Sequence, residues 1–222
     1  MIHEGLSAIP NQIPLFFRHK EDDAQARLIT RQRILGIAKQ RFARFSYDGT
    51  SLASLARSAG VSMPELLTHF EDKLALLTAV FDEGWNSINT RFSDIVLNAV
   101  SARDAMLSML KVMKHIMERD EDLAWLLLFE SRRPSPYHGE VMFSRGYLKF
   151  MGICTELAVR GQRDGSFKTV YHPRIIASIL VGAAENLLRD KLLAEQESGT
   201  GADYPDQQLT AAFEGLVAYL KP

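Results

Sequence analysis

Between Thr50 and Lys73 the chain reads TSLASLARSAGVSMPELLTHFEDK, and few folds accommodate this stretch. Leu52, Leu55, Ala59, Val61 and Leu66 fall at spacings that place them on one buried seam, and Gly60 interrupts the run. Gly60 takes the positive φ that ends a helix without a steric penalty. Ala56, four residues earlier, is small enough for a second helix to cross closely. Ser62 opens that helix, with Pro64 in its first turn and Glu65 three residues after Ser62, a capping-box spacing. Two short helices on so tight a turn form a helix-turn-helix, whose second helix in DNA-binding proteins enters the major groove. A plain helical hairpin in a bundle shares the local pattern, so the flanking chain has to decide.

Upstream lie Thr30-Arg31-Gln32-Arg33-Ile34-Leu35-Gly36-Ile37-Ala38, then Phe42 and Phe45; downstream come Phe70-Glu71-Asp72-Lys73-Leu74-Ala75-Leu76-Leu77. In order and spacing, about residues 30 to 80 resemble the DNA-binding domain of the TetR family of transcriptional regulators. The resemblance implies an all-α protein, with an N-terminal three-helix helix-turn-helix domain followed by a helical ligand-binding and dimerisation domain. The expected boundaries are an N-terminal arm at 1–22, the DNA-binding domain at 23–75 and the second domain at 76–222. It also implies residue roles. Thr50 or Ser51 caps the second helix and contacts phosphate, and Lys73 corresponds to the family's phosphate-binding lysine. The DNA-facing set continues with Ser62 and His69, and Met63, Pro64, Glu65 and Thr68 fall where the family reads bases. Two positions depart from the pattern. Leu67 stands where a backbone-touching Tyr is usual, and Glu65 where Thr or Ser is common. Glutamate accepts from cytosine N4 but repels phosphate, and a capping role with Ser62 competes with base reading.

The net charge of −1 gives no global field toward nucleic acid, but the charge is unevenly spread. Residues 24–70 hold Arg27, Arg31, Arg33, Lys39, Arg41, Arg44 and Arg57 against Asp48 and Glu65, so 7 − 2 = +5. That suits a module meeting phosphate at one end, or an ordinary solvated face. The single cysteine, Cys154, allows no disulfide within the chain and points to a reducing compartment. No leader-like segment and no apolar run near the ~20 residues of a membrane helix is evident, so the expected location is cytoplasmic. In residues 1–22, Pro10 and Pro14 argue against a long helix. The run Ile13-Pro14-Leu15-Phe16-Phe17 is apolar for a free tail, and Arg18, His19 and Lys20 are followed at once by Glu21, Asp22 and Asp23.

The body repeats apolar residues at three- and four-residue spacing from Met106 to Leu220, with no competing strand-period run. Ser101 and Asp104 mark one helix start, Pro173 and Pro205 suit first turns, and Gly161 and Gly165 suit a stop. Leu123 to Phe129 is apolar on every side and should be buried all round. Residues 195–204 read as a polar linker between the last two helices. The resemblance implies a cavity for a small apolar or amphipathic effector. Its candidate lining is Met109, Met113, Trp125, Phe129, Phe143, Tyr147, Met151, Ile179, Ala183 and Asn186, with Glu130 and Glu185 as further polar members; each of these also fits a plain core. Helices over 173–194 and 205–220 are apolar on more than one face and should pair with a second copy. No metal spacing, phosphate loop or cofactor motif occurs. The leading expectation is a homodimeric, ligand-responsive regulator, in this family most often a repressor, on a palindromic double-stranded DNA operator. The alternatives are a TetR-like helical interaction protein that has lost operator binding, and a small helical enzyme built on His115, Glu130 and Glu156.

Overall fold

The computed structural model describes residues 15–130, 143–198 and 205–222, with side chains from residue 23 onward. The described residues form nine helices and no strand. These are α1 (Leu15–Phe45), α2 (Leu52–Ala59), α3 (Met63–His69), α4 (Lys73–Asn98), α5 (Ala102–Arg119), α6 (Glu121–Phe129), α7 (Arg145–Arg163), α8 (Pro173–Ser198) and α9 (Asp206–Tyr219). α1 to α3 make the head. α4 runs on from it into a body in which α7 packs between α4 and α8, and α6 lies against α1.

The local signals around Gly60 act as their chemistry requires. Gly60 sits at φ 64°, ψ 36°, and Val61 N–H returns to Ala56 O at 3.0 Å, closing α2. Ala56 is 3% exposed at the crossing. Ser101 caps α5, accepting from Asp104 N–H while its hydroxyl donates to Asp104 Oδ2 at 2.8 Å.

Other expectations change on contact with tertiary structure. α1 begins at Leu15, immediately after Pro14, so the last part of the expected arm is helical; residues 1–14 lie outside the described set. Gly161 does not stop a helix. It sits inside α7, where a Cβ would come within 2.1 Å of the Phe167 ring, so its lack of a side chain admits that ring. Gly165, at φ 78°, follows the helix end. Pro205 precedes α9 as its cap residue, and α8 extends to Ser198, into the expected linker. α6 buries Ala124, Leu126, Leu127 and Leu128, but Leu123, Trp125 and Phe129 keep partial exposure.

Buried polar contacts tie α4, α6 and α7 together. Glu130, 2% exposed, accepts from Trp85 Nε1 at 2.6 Å and from Ser144 N–H at 2.8 Å. Asn89 Nδ2 donates to Gly146 O at 2.9 Å, and Gly146 N–H to Asp82 Oδ1 at 3.1 Å. Burying these groups is tolerable because most of their polar atoms have partners, the Asn89 Oδ1 being the exception. On the other side of the body, Lys114 and Lys191 of α5 and α8 converge on Asp206, the first residue of α9.

Two outcomes follow. A Cβ on Gly146 would lie 2.3 Å from Trp85 Cβ, an atom too close to the backbone to swing aside. Gly146→Ala is expected to cost about 1–3 kcal/mol in urea unfolding, as overpacked cores do; an unchanged midpoint would mean that α7 shifts freely. For Asp206, burial pushes the carboxyl pKa up, but the hydrogen bonds and charges of Lys114 and Lys191 outweigh it and leave it below the ordinary value. A depressed carboxylate stabilises the fold above its unfolded pKa, and that contribution disappears as pH falls through the folded value. Stability should therefore drop from about pH 5 downward, less steeply in Asp206→Asn than in the parent, as read by thermal unfolding across pH.

Candidate functional site

α3 is held in the head by one buried residue. Leu66, fully buried, anchors it to the head, and Met63, Pro64, Glu65, Leu67 and Thr68 remain exposed. Ser62 caps it, accepting from Glu65 N–H at 3.2 Å. Only this half of the capping box forms: the Glu65 side chain is exposed and makes no described bond back to Ser62. Thr68 Oγ1 donates to Glu65 O at 2.7 Å, which holds its methyl and hydroxyl in one orientation. His69 is half-buried, its ring 6.4 Å from that of Phe70. Leu67, 45% exposed, gives the outer surface of α3 an apolar point beside Met63.

The structure separates Thr50 from Ser51. Ser51 is the exposed cap of α2, accepting from Ser54 N–H at 3.2 Å. Thr50 is 1% exposed, and its hydroxyl donates inward to Ser46 O at 2.8 Å and Arg41 O at 3.2 Å. Its side chain closes the turn after α1 and is withdrawn from any phosphate. Ser46 itself holds φ 60°, the left-handed region that non-glycine residues rarely occupy.

Lys73 is differently placed from a free surface cation. Its Nζ donates to Tyr47 O at 2.9 Å and Thr50 O at 3.1 Å and lies 4.0 Å from the centre of the Tyr47 ring. It ties the α1–α2 turn to the start of α4. The α4 N-terminus is already capped by Asp72, whose carboxylate accepts from Ala75 N–H at 2.6 Å and repels anions. Of the seven basic residues counted at the head, Lys39 and Arg44 pair with Asp120 and Asp122 at 2.5 and 3.5 Å. Arg31 and Arg41 lie over Phe70 and Phe45. Arg27, Arg33 and Arg57 stay exposed. Part of the basic excess thus holds head to body, a use that charge counting missed. Asp120-Glu121-Asp122 ahead of an apolar run marks a helix start in the sequence, but nothing there ties it to Lys39 or Arg44.

Inside the body a cavity of about 50 Å³ is lined by α4 (Trp85, Phe92), α5 (Met106, Met109, Leu110, Met113), α6 (Leu127, Leu128), α7 (Phe150, Cys154), α8 (Leu180, Val181, Ala184, Glu185, Leu188) and Phe213 of α9. Glu185 is the one charged residue among these. Trp85 stacks on Phe150 at 4.8 Å. Burial, then the nearby Glu185 charge, pushes the Cys154 thiol well above its usual range, so it stays neutral. Burial, then Glu185 and Glu130, does the same to the Tyr147 hydroxyl.

Of the expected lining residues, Met109 and Met113 line this cavity. Tyr147, stacked on Phe143 at 4.7 Å, packs edge-on to Trp85 outside the lining, and Met151 also lies outside it. Trp125 and Phe129 line a different cavity, nearer the head. Ile179, Ala183 and Asn186 occupy another stripe of α8; Ile179 is 39% exposed, and Asn186 bonds Asp190 and Arg189. Sequence reasoning was out of phase on α8 because that helix is apolar on two faces. His115, Glu130 and Glu156 do not converge: His115 meets Glu118, Glu130 is spent on Trp85 and Ser144, and Glu156 is exposed.

Residues 34–80 match the family model described as bacterial regulatory proteins, tetR family. A curated relative, the HTH-type transcriptional regulator AcrR of Shigella flexneri, is 30% identical over 91 residues, 40% of this chain and 40% of that protein. The chain therefore aligns with about two fifths of that relative's length. Among solved structures, the transcriptional regulator FadR from Bacillus subtilis, in complex with stearoyl-CoA, superposes with a TM-score of 0.70 at 17% identity, covering 84% of this chain and 97% of that one. The MbdR regulator from Azoarcus sp. CIB gives 0.66 at 19%, covering 87% and 99%. At these identities the likeness is one of fold.

Lys73→Ala removes a cation bonded to two carbonyls. It is expected to lower stability by about 1–3 kcal/mol in thermal or urea unfolding. Unchanged stability would free Lys73 from this structural task.

Proposed function

We propose, from a DNA-binding domain that belongs to the tetR family of bacterial regulatory proteins, that this chain is a cytoplasmic, ligand-responsive repressor acting as a dimer on a palindromic operator. The observation that carries the reading is α3 itself, capped by Ser62, anchored by Leu66 and offering Met63, Pro64, Leu67 and Thr68 outward within the matched residues. Pro64, Met63 and Leu67 suit thymine methyl groups, and Thr68 a base edge. Ser51, at the exposed start of α2, and the exposed Arg57 suit phosphates, which fix register without reading sequence.

The outer surfaces of α8 and α9 support pairing. Ile175, Ile179 and Leu193 of α8 and Tyr219 of α9 are 38–67% exposed, more apolar surface than solvated helices need. Isologous pairing gives two reading heads and hence a twofold operator. Sedimentation at micromolar concentration is expected to give about 50 kDa, twice the 25.0 kDa chain; a stable monomer would remove both dimer and palindrome.

The internal cavity supports an apolar or amphipathic effector whose polar group meets Glu185. At about 50 Å³ it is far smaller than the roughly 300 Å³ at which ligand pockets begin, so binding has to widen it. A structural neighbour in complex with stearoyl-CoA is in keeping with an apolar effector. Met109 and Met113 repack readily and suit such widening.

A second reading, a TetR-like protein without operator binding, draws on Leu67 and Glu65, which lack the phosphate-friendly groups usual there. Electrophoretic shifts with DNA upstream of the protein's own gene, at several salt concentrations, separate the two. Binding by the parent is expected, and none at low salt would favour the second reading. Thr68→Ala should alter preference among operators. Lys73→Ala should flatten the salt slope of log K by about 0.9 per chain if its remaining donor meets phosphate, and leave the slope unchanged if it only holds the turn.

A further inference from the structure

The cavity that takes Trp125 and Phe129 lies where head and body meet, and its volume is about 250 Å³. Phe42 of α1 with Tyr47 and Asp48 of the turn that follows it form one wall, Phe81 of α4 contributes between, and Trp125 and Phe129 of α6 form the other. Trp125 and Phe129 stack with centroids 4.5 Å apart and planes at 18°, and Phe42 and Tyr47 at 6.1 Å and 24°. Aromatic faces carry negative potential. Asp48 is the one carboxylate in the lining, is exposed, and has no ion pair among the described residues, while no lysine or arginine lines the cavity. Two of the rings already meet protein cations from outside it: Lys73 lies 4.0 Å from the Tyr47 centroid and Arg189 5.9 Å from that of Phe129.

We propose that this junction cavity binds a flat aromatic cation of one or two fused rings, the ring stacked against Trp125 and its neighbours and the ammonium directed to Asp48. A volume of about 250 Å³ suits a small occupant such as a fused bicycle. The occupant is cationic because the one charged side chain in the lining is a carboxylate and the Trp125 and Phe42 rings have no described cation against them. It would touch at once the strained turn at Ser46, which leads into Thr50, and the helix that also walls the internal cavity. This site is separate from the effector cavity and does not depend on operator binding.

Titration calorimetry of the full chain without DNA tests it. The probe is tryptamine, and indole-3-acetate supplies the same ring with the opposite charge. One tryptamine per chain is expected, bound about tenfold more tightly than indole-3-acetate. Asp48→Asn should weaken it about fivefold or more, Trp125→Ala about tenfold, and Trp125→Phe less than Trp125→Ala. Met109→Ala, in the internal cavity, should leave it within about twofold. Circular dichroism checks that each variant folds; Asp48→Asn, at an exposed position, keeps the test valid should Trp125→Ala unfold. No heat at millimolar tryptamine, equal binding of the two indoles, or binding lost in Met109→Ala but kept in Asp48→Asn would overturn the proposal. Because operator shifts are measured separately, such a failure leaves the regulator reading standing.

Discussion

A nine-residue helix held by a carboxylate at each end sets the relation between head and body. At the start of α6, Asp120 Oδ1 accepts from Leu123 N–H at 3.1 Å and caps the helix, while Oδ2 takes Lys39 Nζ of α1 at 2.5 Å. At its end, Glu130 takes Trp85 of α4 and the Ser144 amide that precedes α7. A helix so short has almost no stability of its own. Its position is dictated by these two acids and by the packing between them. Removing the Trp85 indole would leave a buried acceptor one hydrogen bond short, which costs more than the bond contributes net.

Because α6 is one helix thick, its two sides serve two cavities. Leu127 and Leu128 face the internal space, while Trp125, Leu126 and Phe129 face the junction. In the proposed regulator, an effector that widens the internal cavity has to displace some wall, and α4 and α6 are the walls that also touch the head. A ligand shifts such an equilibrium only by its difference in affinity for the two positions. A cavity of about 50 Å³ supplies that difference physically, since the closed position cannot hold a ligand of ordinary size.

What could be read from the sequence was local. Gly60, Ser62, Ser101 and the seam through Leu55 and Leu66 carry their information within four residues, so caps, turn and the helix after the turn were all legible. The Lys39–Asp120 pair spans 81 residues and Trp85–Glu130 spans 45, and nothing in the one-dimensional pattern links such partners. Thr50 and Ser51 could not be told apart because both are hydroxyl residues at a helix start, and only the fold turns one inward. α8 failed on phase: with apolar residues on two stripes, periodicity gives a helix without saying which stripe faces the cavity. Gly161 failed for the opposite reason, since its role is to admit Phe167, a contact that helix-stop rules cannot see.

The ties named above form a closed ring. Lys73 joins the α1–α2 turn to α4, Trp85 joins α4 to α6 through Glu130, and Asp120 joins α6 back to α1 through Lys39. In an open chain of contacts, one helix can shift while the far end stays still. In a ring it cannot: if α6 moves relative to α4, either α1 follows through Lys39 or that pair opens. The buried Glu130 contact is costlier to open than the partly exposed Lys39 pair, because water replaces the lost partner only at the latter. The ring is therefore weakest at Asp120, and a displaced α6 frees the head there first while Lys73 still holds the turn onto α4. α3 packs on α2, and α2 on α1, so whatever α1 does in response is passed to α3 through that packing.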